Sequence, residues 1–148
     1  MADSSLSTRK NLIPILIVAF LDFLGVSLII PVLAPLIIDN PTGLIAEGYG
    51  VDDRTFIYGV LIAVYPLAQF FGAPILGALA ERHGRKRMLL ISLLGSLLGY
   101  VLFAYAIYSN HLVLAFVSRL VDGFTGGNIS IVFSAVADIS NKENKTNN

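Results

Sequence analysis

Three ionisable side chains stand inside long apolar runs of this sequence: Asp22, and the pair Arg119 and Asp122. At the centre of a membrane helix each such charge costs roughly 2.5–3.5 kcal/mol on insertion scales. It is retained only where it meets a partner, a wet cavity or a mobile proton. Arg119 and Asp122 are three residues apart, so on a helix they share a face and can neutralise each other. Asp22 has no such neighbour, because the positions three and four away are Val18, Ala19, Gly25 and Val26. Its partner must come from another helix, from water or from a proton. Reversible proton binding is one chemistry that suits it; a structural ion pair or an interhelical hydrogen bond is the other. Two amides, Gln69 and Asn128, lie in similar surroundings. Each either faces a polar cavity or joins two helices by a hydrogen bond worth about 0.6 kcal/mol. For Gln69 the helix contact is the plainer reading; for Asn128 both stand.

The elements that must position these groups follow from hydropathy. The chain of 148 residues is 55% hydrophobic and 14% charged, against about 25% charged in soluble domains. Lipid is therefore its solvent, and an all-α membrane protein of four spans is expected. The spans are read as about 11–38, 55–80, 88–108 and 112–139, each long enough to cross roughly 30 Å of hydrocarbon. Pro66 and Pro74 interrupt the second; neighbouring helices can satisfy the backbone groups they free. The first is too long for the apolar core of a signal peptide. Gly95 and Gly99 on the third span, and Gly123 and Gly127 on the fourth, are small-residue pairs that let helices approach closely.

Charge orients the chain. The segment between spans two and three runs from Gly77 through Glu81, Arg82, Gly84, Arg85 and Lys86 to Arg87, and is read as a short basic hairpin. With Arg9, Lys10, Lys142 and Lys145 it puts eight bases on one side, against Arg54 on the other. Basic segments stay in the cytoplasm, so both termini are expected there. Other chemistry is not indicated. Without cysteine there is no thiolate site. His83 and His111 fall at opposite ends of spans and cannot share a metal. No catalytic constellation, cofactor or nucleic-acid surface is found. The glycosylation patterns at Asn128 and Asn144 fall inside a span and on the cytoplasmic side, and are discounted.

Three stretches resemble the major facilitator superfamily, and within it the drug:proton antiporter branch that includes bacterial tetracycline efflux pumps. The first begins at Asp22 and Gly25 and ends at Pro31 and Pro35, with Ser27 where the branch has a second glycine and Ala34 as an extra residue before the last proline. The second runs from Tyr65 to Gln69, then Pro74, then the basic segment, with Glu81 where the family usually has aspartate. The third holds Arg119, Asp122, Gly123, Gly126, Gly127 and Asn128, followed by Ala137 and Asp138.

The resemblance implies a partial N-terminal half of a major facilitator fold: one three-helix repeat and the first helix of the next. It implies alternating access in a bacterial plasma membrane, with protons and a small amphiphilic solute as partners. Asp22 would line the path and Arg119 would take part in proton coupling. Glu81 and Arg85 would belong to a cytoplasmic gate, and Gly77 would permit close helix contact. Four spans alone are expected to show no proton-driven flux. Two rival readings are a sugar or metabolite carrier of the same superfamily and a non-transporting four-helix assembly partner.

Overall fold

Prolines shape the first helix of the computed structural model, which describes residues 2–39, 43–45 and 48–134, with side chains described from residue 13 onward except 15. Helix α1 covers Ala2–Ala34 and carries Pro14 and Pro31. Pro35 then opens a π-helical stretch, Pro35–Asp39. Proline brings no N–H to the ladder, and a wider turn is one way a helix accommodates that loss. The Tyr58 hydroxyl donates to the Ile30 carbonyl (3.3 Å) in this region.

Helix α2 covers Val51–His83, starting before the expected position 55 and ending after 80. Its start is marked by Gly50, whose N–H donates to Asp53 Oδ2 (3.2 Å). Asp52 and Asp53 in the first turn complement the helix dipole. Arg54, expected in the outer loop, is instead a buried residue of this first turn. Its Nε donates to the Tyr49 carbonyl (3.1 Å) and its Nη1 to the Ile37 carbonyl (3.4 Å). A cation at the carbonyls of the π-helical stretch that follows α1 is favourably placed for the dipole of the helix end.

The basic segment is not a loop. Gly84 alone separates α2 from helix α3, which covers Arg85–Tyr108. Its φ of +90° is a conformation that glycine adopts without penalty. Its N–H closes on the Ala80 carbonyl (3.0 Å). Glu81 and Arg82 therefore belong to the last turn of α2, and Arg85 and Lys86 to the first turn of α3. The next turn is set by Asn110, at φ 54°, where asparagine is well tolerated. Helix α4 covers Leu112–Thr125, tightens into a 3-10 turn at Gly126–Asn128, and stays helical to residue 134. The expected fourth-span end at 139, Asp138, the Asn144 pattern, Lys142 and Lys145 lie outside the described residues.

Among the described residues, four helices are long and apolar enough to span a membrane: Leu16–Asp39, Val51–His83, Arg85–Tyr108 and Leu112–Ser134. Helix α4 packs against both α2 and α3, while α1 touches the others more lightly. Two apolar clusters hold the bundle. One, towards the Arg54 end, includes Leu33, Ile37, Leu61, Phe103 and Ala115. The other, towards the Gly84 end, includes Leu76, Met88, Leu89, Ile131 and Val132. On α4 the stretch from Arg119 to Asn128 falls between them. Most large apolar side chains of α1, and many of α2 and α3, face outward, as expected where lipid or further helices take the place of water.

Candidate functional site

The layer between the two apolar clusters is where polar side chains gather. Asp22 comes from the middle of α1 and Asn128 from the 3-10 turn of α4. Asn128 Nδ2 donates to Asp22 Oδ2 at 2.6 Å, although the residues are 106 apart in sequence. Asp22 thus finds its partner on another helix. Asn128 is 1% exposed, and its hydrogen bond spans two helices at the edge of a cavity, so both readings of that residue hold at once.

Arg119 and Asp122 do pair. Arg119 Nη1 stands 3.0 Å from Asp122 Oδ2, at ion-pair distance but without hydrogen-bond alignment. Both side chains are almost completely buried. The guanidinium carbon lies 4.3 Å from the Phe103 ring centroid and 5.6 Å from that of Tyr100. Cation–π attraction from rings at these distances is worth about 2 kcal/mol when desolvated. Arg119 Nε and Nη2 have no hydrogen-bond partner among the described residues.

Several of these groups border a half-open cavity of about 290 Å³ between α1, α2 and α4. Asp22, Gln69, Arg119 and Asn128 line it together with Tyr65, and its remaining wall is mainly apolar, with Phe23, Ile30, Leu61 and Ile62. A largely apolar chamber with a few convergent polar groups is the usual form of a small-molecule site. Asp122, also read as a path residue, is not part of the lining. It lies on the far side of Arg119, against Gly99 of α3, where an added Cβ would come within 2.6 Å of Asp122 Cβ. Gln69 lines the cavity and also donates from Nε2 to the Gly126 carbonyl at 2.8 Å, so the helix contact expected of it is present.

Close backbone contact holds α2 to α4 beside the cavity. A Cβ at Gly127 would meet Ala73 N at 2.5 Å and Gly72 C at 2.6 Å. Ser130 Oγ donates to the Ala73 carbonyl (3.0 Å) just beyond. Between α3 and α4 the Ser92 hydroxyl donates to the Thr125 carbonyl, and Ser96 Oγ lies 3.5 Å from Thr125 Oγ1. The residues expected to gate the cytoplasmic end do not line the cavity. Gly77 faces Ser130, with ordinary contact distance for a Cβ (3.4 Å). The tightest α2–α4 approach is therefore at Gly72, not Gly77. Glu81, Arg82, Gly84 and Lys86 are exposed and Arg85 is half-buried.

From the sequence, Tyr65, Tyr100 and the phenylalanines, Phe103 among them, read as packing or interface anchors rather than ligand contacts. Their contacts with Arg119 and the cavity depend on which α3 and α2 faces meet α4. No spacing within one helix carries that information.

The family model described as Major Facilitator Superfamily matches residues 15–146. The tetracycline resistance protein, class H, of Pasteurella multocida is 39% identical over 93% of this chain and 32% of its own length. The class C protein of Escherichia coli is 36% identical over 95% of this chain and 33% of its own. Major facilitator superfamily domain-containing protein 10 of Bos taurus is 34% identical over 58% of this chain and 18% of its own. The chain thus spans about a third of the length of the curated tetracycline resistance relatives it matches. No solved structure matches it significantly.

Proposed function

Because the chain belongs to the major facilitator superfamily, we propose that its four spans form the opening third of a proton-coupled exporter of small amphiphilic solutes, working by alternating access. The cargo class follows from the relatives, whose names give tetracycline resistance. The single observation that carries the reading is the Asp22–Asn128 hydrogen bond, which joins α1 to α4 beside the cavity. A proton arriving at Asp22 changes the charge of that joint and of the chamber in one step.

Asp22, Gln69, Arg119 and Asn128 would form the wall of the transport path, with Asp122 holding Arg119 in place from behind. Glu81, Arg82, Gly84, Arg85 and Lys86 would act at the cytoplasmic end, with Gly77 at the α2–α4 contact. The positive-inside rule then puts both termini in the cytoplasm, in a bacterial plasma membrane. Nothing in the relatives or the site favours a sugar carrier or a non-transporting assembly partner.

The test is a chimera in which this chain replaces the matched third of the class H protein. In everted vesicles it should accumulate tetracycline only while a proton gradient is maintained, and Asp22→Asn should abolish that uptake. A correctly inserted chimera whose uptake persists after the gradient is collapsed, or is indifferent to Asp22→Asn, would contradict the proposal.

A further inference from the structure

Another hollow lies across the α2–α4 seam from the chamber. It is an open groove with buried Ala68 at its base, Phe71 on the α2 side, and Leu120, Val121 and Phe124 on the α4 side. Phe71 is two residues from Gln69 of the chamber, so about 200° of helix separates them and the groove faces the bilayer. Thr125 also borders it, but turns its hydroxyl back onto the Val121 carbonyl (2.9 Å). Among the described residues, then, nothing polar is offered to an occupant. Phe70 braces the Phe71 ring edge-on, with centroids 5.4 Å apart.

A stripe leads from this groove to charge. Phe71, Ile75, Ala78 and Arg82 recur at spacings of four, three and four, so they share one face of α2, and all four are exposed. Arg82 lies about 16 Å from Phe71 along the helix, and one leaflet's hydrocarbon is about 15 Å deep. Gly84 reverses the chain within a single residue, so the exposed Lys86 and Arg87 of α3 join Arg82 at that end. The first turn of α3 holds no acid, and Glu81 stands alone against these bases in the segment 77–87. We infer that this face seats an anionic phospholipid of the bilayer. Its phosphate lies at Arg82 and Lys86, one acyl chain runs over Ile75 and the small Ala78, and the chain end rests between Phe71 and Phe124. Charge complementarity selects the headgroup, since bases at headgroup depth attract anionic lipid. A second copy of the chain fits the face less well. Apolar helix faces gain little from each other over lipid tails, and a copy inserted with the same orientation would bring its own basic end against this one.

The chain has no tryptophan, so Phe71→Trp places a single fluorescent reporter in the groove. Leu97→Trp places one on the outward side of α3, at the same depth, because both positions are thirteen residues from Gly84. Each chain is put into phosphatidylcholine nanodiscs that hold, as a minor component, either phosphatidylglycerol or phosphatidylcholine brominated near the acyl-chain end. In the Phe71→Trp chain, half-quenching should need about tenfold less of the brominated phosphatidylglycerol, as one to two bases near an anionic headgroup would give. The Leu97→Trp chain should not distinguish the two lipids. Arg82→Gln with Lys86→Gln should bring them level at the groove reporter. Equal quenching of Phe71→Trp by both lipids would overturn the inference, as would a preference that survives the loss of Arg82 and Lys86. So would a groove reporter that neither lipid quenches while Leu97→Trp responds, because another helix would then cover the groove. The first comparison is made within one protein, so a folding defect in the double variant cannot obscure it.

Discussion

Replacing Asp122 with leucine should destabilise the bundle by about 3–5 kcal/mol, the usual cost of removing one member of a buried ion pair. The loss comes less from the missing attraction than from what is left behind. Arg119 is 2% exposed and lies between two apolar clusters, where its guanidinium has lost most of its hydration. A guanidinium cannot shed its proton, and the rings of Phe103 and Tyr100 offset only part of the desolvation. Arg119→Met should cost less, because the carboxylate it strands can be neutralised by taking up a proton. The double replacement, Arg119→Met with Asp122→Leu, should recover most of the stability, since an apolar pair of similar volume commonly matches a buried ion pair. Unfolding in mixed micelles followed by far-ultraviolet circular dichroism checks the order. Equal losses for the single changes and a summed loss for the double would show that the two side chains do not act as a pair.

Gly72→Ala should cost about 2–3 kcal/mol, towards the upper end for overpacking. A Cβ there would run into the Phe124 carbonyl, with its carbonyl carbon at 3.0 Å. Backbone has no rotamer through which to yield, so α4 must move away from α2. That displacement would strain the Gln69–Gly126 and Ser130–Ala73 hydrogen bonds, which flank the contact, and would open one wall of the cavity. Gly59 on the same helix supplies the comparison, as an added Cβ meets nothing within 4 Å. Gly59→Ala should be neutral or slightly stabilising, because alanine is the better helix former. Stability measured on both in the same micelles separates a packing effect from a propensity effect. Similar values for the two would mean that α2 and α4 do not meet at Gly72.

The spans were legible in the sequence because hydrocarbon leaves a backbone few choices. The pairing of Arg119 with Asp122 was legible for a local reason: three residues on a helix put them on one face. That Asp22 needed a partner could be read from its empty neighbourhood, but the identity of that partner could not. Asn128 reaches it only because the 3-10 turn at Gly126–Asn128 and the α1 packing bring the two helices together there. The basic segment misled in a specific way. Its charges and glycines suggest a hairpin loop, yet the helices run to within one residue of each other, since Gly84 alone supplies the reversal. Arg54 was hidden by its sequence setting, a polar stretch, although it is buried at the joint between α1 and α2. Contacts across helices, such as Phe103 beneath Arg119, leave no trace in single-helix periodicity.

The measurement that bears most directly on a polar path through the middle of the bundle is cysteine accessibility, and the absence of native cysteine makes it clean. Single cysteines at Ile29 and Ile62, which line the cavity, are compared in lipid nanodiscs with single cysteines at Leu94 and Leu97, which face outward from α3. A small, charged, water-soluble thiol reagent should modify the cavity pair and leave the α3 pair untouched. Equal protection of all four positions, or reaction at Leu94 and Leu97 instead, would mean that the space between Asp22 and Arg119 is not a chamber open to solute.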